Sequence, residues 1–119
     1  MEYPNIEKEE FDCPCCGKNN MDEDFLFKII AARIIAEIPF VITSGCRCVL
    51  HNSDPKVGGS PTSSHLKGIA TDIYCDGSRS RYIILKVLLA VGFHRIKIGK
   101  NFIHVDDDKT KSKKVIWLK

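Results

Sequence analysis

The chain is predicted to fold as one α+β domain, a small antiparallel sheet packed with two main helices. Three observations predict this. Two stretches carry apolar residues at helical spacing, several short segments alternate apolar and polar residues, and the last three of these are joined by connections too short for crossover helices. The length of 119 residues suits a single domain over 1–119, able to bury roughly two-thirds of its unfolded surface. An apolar share of 44% is ordinary for a folded protein.

Residues 1–20 are polar and read as a loop region built around Cys13-Pro14-Cys15-Cys16-Gly17. From about Met21 to Ile38, Phe25, Leu26, Ile29, Ile30 and Ile34 recur at helical spacing. Asn20 is a candidate cap, Asp22, Glu23 and Asp24 favour the positive end of the helix dipole, and Pro39 stops the helix. A short strand, Phe40 to Thr43, leads into a long irregular stretch through Leu66. Loops of that length in a compact domain are usually functional. Gly68 to Tyr74 reads as a strand. Ser78 caps a second helix to about Val91, with Tyr82, Ile83, Leu85, Leu88 and Val91 expected inward and Gly92 ending it. Strands are expected at His94 to Ile98, Phe102 to Asp106 and Lys114 to Leu118.

Net charge is +3 with a pI near 8.5, too mild to argue for a nucleic-acid partner. The first ten residues show no basic segment followed by an apolar one, so no secretory signal is visible. The apolar run Phe25 to Ile38 is interrupted by Lys28, Arg33 and Glu37, so no transmembrane segment is expected. The expectation is a product synthesised in the cytoplasm, released by other means if it works outside the membrane, and monomeric.

The chemistry concentrates in two stretches. In Ser63-Ser64-His65-Leu66-Lys67-Gly68-Ile69-Ala70-Thr71-Asp72, Gly68 permits close backbone approach, and a strand projects Ala70 and Asp72 to one face. In Phe102-Ile103-His104-Val105-Asp106, alternation puts Phe102, His104 and Asp106 together, with Ile103 and Val105 facing the core. A lone His104 would read as a satisfied histidine of a half-buried sheet. With His65 and Asp72 it completes a set of two imidazoles and one carboxylate, which leaves an open fourth position and suits catalytic zinc. The same trio matches an iron facial triad, though nothing further points to oxygen chemistry.

These residues, together with Ser44-Gly45-Cys46-Arg47 and Asn52, resemble the M15 group of zinc peptidases. That group includes D-alanyl-D-alanine carboxypeptidases and phage endolysins and shares a fold with the hedgehog signalling domain. The resemblance covers about residues 11 to 117, with order, spacing and flanking glycines all matching. It implies zinc ligation by His65, Asp72 and His104, and a peptidoglycan stem peptide as substrate at the bacterial cell wall. It implies for Arg47 a hold on a peptide carboxylate or on the developing oxyanion; the plain alternative is a surface salt bridge. Ser63 either contacts substrate or shapes its loop. The chain departs from the pattern at Asn101, where several branches carry a glutamate base. Asp106 is the first substitute, as base or as an orienter of a histidine; His94 and Asp107 are weaker ones. A non-catalytic zinc-containing binding module is the main rival reading.

Six cysteines remain to be explained. Cys13, Cys16, Cys46 and Cys48 have the pattern of a second, closed zinc site, leaving Cys15 or Cys75 over; a disulfide or plain buried thiols are the competing readings. A cysteine-based zinc module for protein or nucleic-acid contact is a second rival. Lys109, Lys111, Lys113 and Lys114 form a basic cluster, which is a solvated face on the plain reading and an attachment to anionic cell-wall polymers on the sharper one.

Overall fold

The computed structural model describes residues 8–119; the first seven residues, part of the stretch read for a leader, lie outside the described residues. The elements run α1 (Glu23–Ala36), β1 (Ile42–Ser44), α2 (Val49–Asn52), β2 (Ala70–Tyr74), α3 (Ser78–Ala90), β3 (Arg95–Ile98), β4 (Phe102–Asp106) and β5 (Val115–Leu118), with 3-10 turns at Lys8–Phe11 and Ser64–Lys67. The class is α+β as expected.

Helix α1 is capped by Asp22, not Asn20. The Asp22 carboxylate accepts from the Phe25 N–H at 2.9 Å, while the Asn20 amide instead donates to the Leu66 carbonyl. The helix ends at Ala36, three residues before Pro39, with Glu37 in the left-handed region. Phe25, Leu26 and Ile29 are buried as expected, but Ala32 replaces Ile34 on the inner face. In α3 the buried stripe is Ile84, Val87 and Leu88. Tyr82, expected inward, is exposed. Ile84, Leu88 and Val91 share the 3.6-residue spacing equally well, so the inward face lies a fraction of a turn from the predicted one.

The strand order is β1-β2-β4-β3-β5. Every neighbouring pair is antiparallel except β3 and β5, which run parallel. The sheet is therefore mixed. Consecutive parallel strands need a long crossover connection, usually a helix; here the chain first returns along β4 on the other side of β3, so a short loop then suffices to place β5 beside β3. Ile73, Ile96, Ile103 and Val105 point from one sheet face into a core shared with Phe25, Ile29, Ile84, Leu88 and Phe93. The helices cover that face. Asp72, His104 and Asp106 alternate with these core residues and point from the other.

Gly68 joins the two halves of the site. It ends the Ser64–Lys67 turn at φ 71°, its carbonyl accepts from the Asp22 N–H at 2.9 Å, and a Cβ there would lie 2.1 Å from the Asn20 carbonyl oxygen. Gly68→Ala is expected to destabilise the domain by about 2–4 kcal/mol, from left-handed backbone cost plus a backbone clash. Gly58→Ala supplies the comparison, since that glycine is also left-handed but has nothing within 4 Å of a Cβ. It should cost only about 1 kcal/mol in the same denaturant titration.

Among the described residues, no helix is long and apolar enough to cross a membrane.

Candidate metal centre

Antiparallel pairing sets Asp72 opposite His104, and His104 in turn opposite Lys97, which is level with Trp117. One row across four strands thus carries a carboxylate, an imidazole, an ammonium and an indole on one face. His65 reaches this row from the Ser64–Lys67 turn. Ser63 caps that turn, its hydroxyl accepting from the His65 N–H at 3.3 Å. The segment before α2 is stitched to the turn twice: the Arg47 N–H donates to the His65 carbonyl, and the His65 ring lies 2.7 Å from the Gly45 carbonyl.

Donor atoms of His65, Asp72 and His104 lie within 4.8 Å of one another. Asp72 Oδ1 is 3.3 Å from His65 Nε2 and 2.9 Å from His104 Nδ1. The outer nitrogens are already committed. The Gly45 carbonyl can only accept, so His65 Nδ1 carries a proton and Nε2 turns a lone pair inward. On His104, Nε2 donates to Asp106 Oδ2 at 2.7 Å, which turns the Nδ1 lone pair toward Asp72. Three lone-pair donors converge on one space. Only a proton or a cation relieves their repulsion, so the residues fit a divalent metal ion.

The ionisation behaviour agrees. Burial drives the His65 pKa down, outweighing its contact with Asp72. Burial also opposes charge on His104, but the bonds to Asp106 and Asp72 prevail and raise its pKa. Burial would raise Asp72, yet the hydrogen bonds from His104 and His65 hold its carboxyl far below the usual range. The bonds from the two carboxylates thus favour the charged form of His104.

Arg47 is brought to the same place. Its guanidinium donates to the Ser44 hydroxyl at 3.2 Å and the Asn52 side chain at 3.3 Å, and lies 3.6 Å from Asp72 Oδ2. The surface-salt-bridge alternative does not describe it, because its side chain is mostly buried and lines the cleft. Asn52 is buried and donates to the Ser60 carbonyl at 2.7 Å, so it fixes both Arg47 and the loop across from it.

Asp106 stands on the far side of the His104 ring from Asp72. It also accepts from Arg95 at 2.7 Å and from the Asp108 N–H, and it is 1% exposed. Of the two roles open to it, this geometry supports the orienting one. Asn101, His94 and Asp107 do not line the cleft; Asp107 pairs with Lys28.

The cleft holds about 380 Å³. His65, Asp72 and His104 lie along it with Arg47 and Ser63, and Phe102 and Trp117 supply aromatic walls. Lys97, Lys111 and Lys119 add positive charge. The basic cluster read from the sequence is split: Lys111 turns into the cleft and bonds the Thr62 carbonyl and the Ser64 hydroxyl, while Lys109 and Lys113 line a different surface.

Two contributors escaped the sequence reading. Trp117 stands edge-on to His104 with ring centroids 6.1 Å apart, and the Arg95 guanidinium lies 4.8 Å from the indole centroid. Its place depends on the parallel β3–β5 pairing, which local spacing does not signal. Asp108 is fully buried and accepts from the Ser64 hydroxyl, Lys67 and Thr110, locking the His65 turn to the loop after β4. Burial opposes its charge, but those hydrogen bonds win and lower its pKa far below the usual range. A depressed carboxyl adds stability above its unfolded pKa of about 3.9 and loses it as pH falls toward the folded value. Asp108→Asn should therefore cost about 2 kcal/mol at neutral pH and little in strong acid. Urea titrations at several pH values check this, and an equal cost at every pH would contradict it.

The cysteines assemble differently from the expected quartet. Cys13, Cys16 and Cys48 bring their sulfurs within 4.8 Å, whereas Cys46 turns into the core with its thiol toward Asn19. None of the six is in a disulfide. The correction follows from strand alternation: neighbours two apart on an extended segment share a face only if the backbone stays regular, and here β1 ends at Ser44 while Cys48 caps α2.

Comparison with individually curated proteins gives no match. The sequence model of the family described as Peptidase M15 matches residues 6–106, most of the chain and all of the cleft-lining strands except β5. The chain therefore belongs to the M15 peptidases, a family of hydrolases that is generally metal-dependent.

Proposed function

We propose that the protein is a zinc-dependent peptidase that hydrolyses the stem peptide of peptidoglycan, as carboxypeptidase or endopeptidase, at the bacterial cell wall. The observation that carries the proposal is the convergence of His65, Asp72 and His104 donors beside Arg47 in an open cleft. Zinc held by the three would supply Lewis acidity to a peptide carbonyl and acidify water.

The remaining work falls to the chain's own groups. Arg47, kept rigid by Ser44 and Asn52, presents a guanidinium that suits a carboxylate or a developing oxyanion. Lys97, Lys111 and Lys119 make the cleft attractive to an anionic peptide and unattractive to a basic one. Phe102 and Trp117 give the stem's apolar side chains surfaces to bury. Asp106 holds His104 in the tautomer that leaves Nδ1 free. Ser63 acts through its cap on the His65 turn.

One observation favours a second reading, a zinc-containing binding module without turnover. The only carboxylates lining the cleft among the described residues are Asp72 and Asp106, and both are committed to histidines. Incubating the zinc-loaded protein with defined muropeptides decides between them. New amino termini or released D-alanine support the peptidase. Saturable binding without any new product over many equivalents of substrate would replace it with the binding module.

A further inference from the structure

We propose a second metal site, in which Cys13, Cys16 and Cys48 hold one soft divalent cation such as zinc, with Cys15 as the nearest fourth donor. This site is separate from the cleft and does not depend on the peptidase reading.

The Cys13-Pro14-Cys15-Cys16-Gly17 segment is a closed turn. The Cys13 N–H donates to the Lys18 carbonyl, the Gly17 N–H returns to the Cys13 carbonyl at 2.8 Å, and Gly17 takes the left-handed conformation that closes it. The turn puts Cys13 and Cys16 side by side, and Cys48 meets them from 35 residues away. Sulfurs around tetrahedral zinc stand about 3.8 Å apart, given bonds of about 2.3 Å. A set already within 4.8 Å needs only small adjustments to close.

Backbone N–H groups aim at all three sulfurs. Cys13 Sγ accepts from the Cys48 N–H at 3.3 Å and is also approached by the N–H groups of Cys15 and Cys16. Cys48 Sγ accepts from the His51 N–H at 3.3 Å, and Cys16 Sγ faces the Lys18 N–H. Donors gathered on sulfur compensate negative charge, and three thiolates held together without a cation would repel one another. Plain apolar packing does not account for the cluster either, since Cys15 and Cys16 are exposed. The Cys15 thiol lies against Cys48, whereas Cys46 is spent on the core.

The site has a structural consequence. Cys48 directly follows Arg47 and caps the helix that carries Asn52, the residue that fixes the Arg47 guanidinium. An ion there ties the N-terminal turn to the segment that presents Arg47 to the cleft.

Cobalt titration of the reduced full chain tests the site, because sulfur-to-cobalt charge-transfer absorption arises only from thiolate ligands and ignores the cleft. In His65→Ala, where the cleft no longer competes for cobalt, the band should saturate at one ion per chain, and in every chain that shows it the band should bleach when zinc is added. It should vanish in Cys16→Ser and Cys48→Ser, and persist in Cys46→Ser and His65→Ala. Cys16 is exposed, so its replacement leaves the core intact and a lost band there reports ligation rather than misfolding. Absence of the band in the wild-type chain, its survival in Cys16→Ser, or its loss only in His65→Ala would overturn the site. So would an intact mass two hydrogens light in metal-free protein that rejects cobalt, which is the mark of a disulfide.

Discussion

Substituting Asp72 by alanine is expected to remove the metal from the cleft and to reduce peptide hydrolysis to background. Three groups converge on this carboxylate: His65, His104 and Arg47. Its loss leaves two imidazoles, a ligand set too small and too neutral to hold a divalent ion against solvent. The metal-free fold should suffer less. Asp72 carries the charge that Arg47 answers and is hydrogen-bonded to His104, so removing it costs about 1–3 kcal/mol at neutral pH. Because the Asp72 pKa is depressed in the folded state, that contribution is present above about pH 4 and fades as acid protonates the carboxyl. Metal content by mass spectrometry, muropeptide turnover and a thermal melt of the same preparation separate the effects. Asp72→Ala that keeps one cleft-bound ion per chain, or that turns over substrate normally, would falsify the assignment of the site. Asp72→Asn should behave similarly toward metal while melting closer to wild type, since an amide still donates or accepts within the same space.

How much of this was legible before the fold depended on the range of the signal. Local patterns carried well. The alternation in Phe102-Ile103-His104-Val105-Asp106 correctly separated Ile103 and Val105 from the polar face, and the glycine at 68 marked a real close approach. That His65, Asp72 and His104 come together was readable because strand periodicity and a recognisable order of motifs agreed. What depended on pairing between distant segments was not readable. The parallel seat of β5 and hence the Trp117 wall, the buried Asp108 lock and the inward turn of Cys46 all follow from tertiary register. In Asp106-Asp107-Asp108 the alternation already marks Asp106, but Asp108 looks like an ordinary surface aspartate, and only the fold shows that it faces inward. The first and third are buried; the middle one bridges outward to Lys28.

Asp106→Asn is expected to lower metal affinity by about 10–100-fold, the usual effect of losing a partner that orients a metal-binding histidine. The carboxylate forces Nε2 of His104 to be the protonated nitrogen. An amide can instead donate to Nε2, which moves the proton to Nδ1 and points it at Asp72 where a lone pair is needed. Arg95 also loses its carboxylate partner, so a melt should show lowered stability as well. The two roles for Asp106 then separate by titration with zinc. If it orients His104, excess zinc restores most of the turnover, and the residual kcat keeps the wild-type pH profile. If it carries the proton during hydrolysis, a fully zinc-loaded variant remains inactive. The first outcome is expected here, because Asp106 is almost fully buried and both its oxygens are already engaged, by His104, Arg95 and the Asp108 N–H, which leaves none free to take a proton from water.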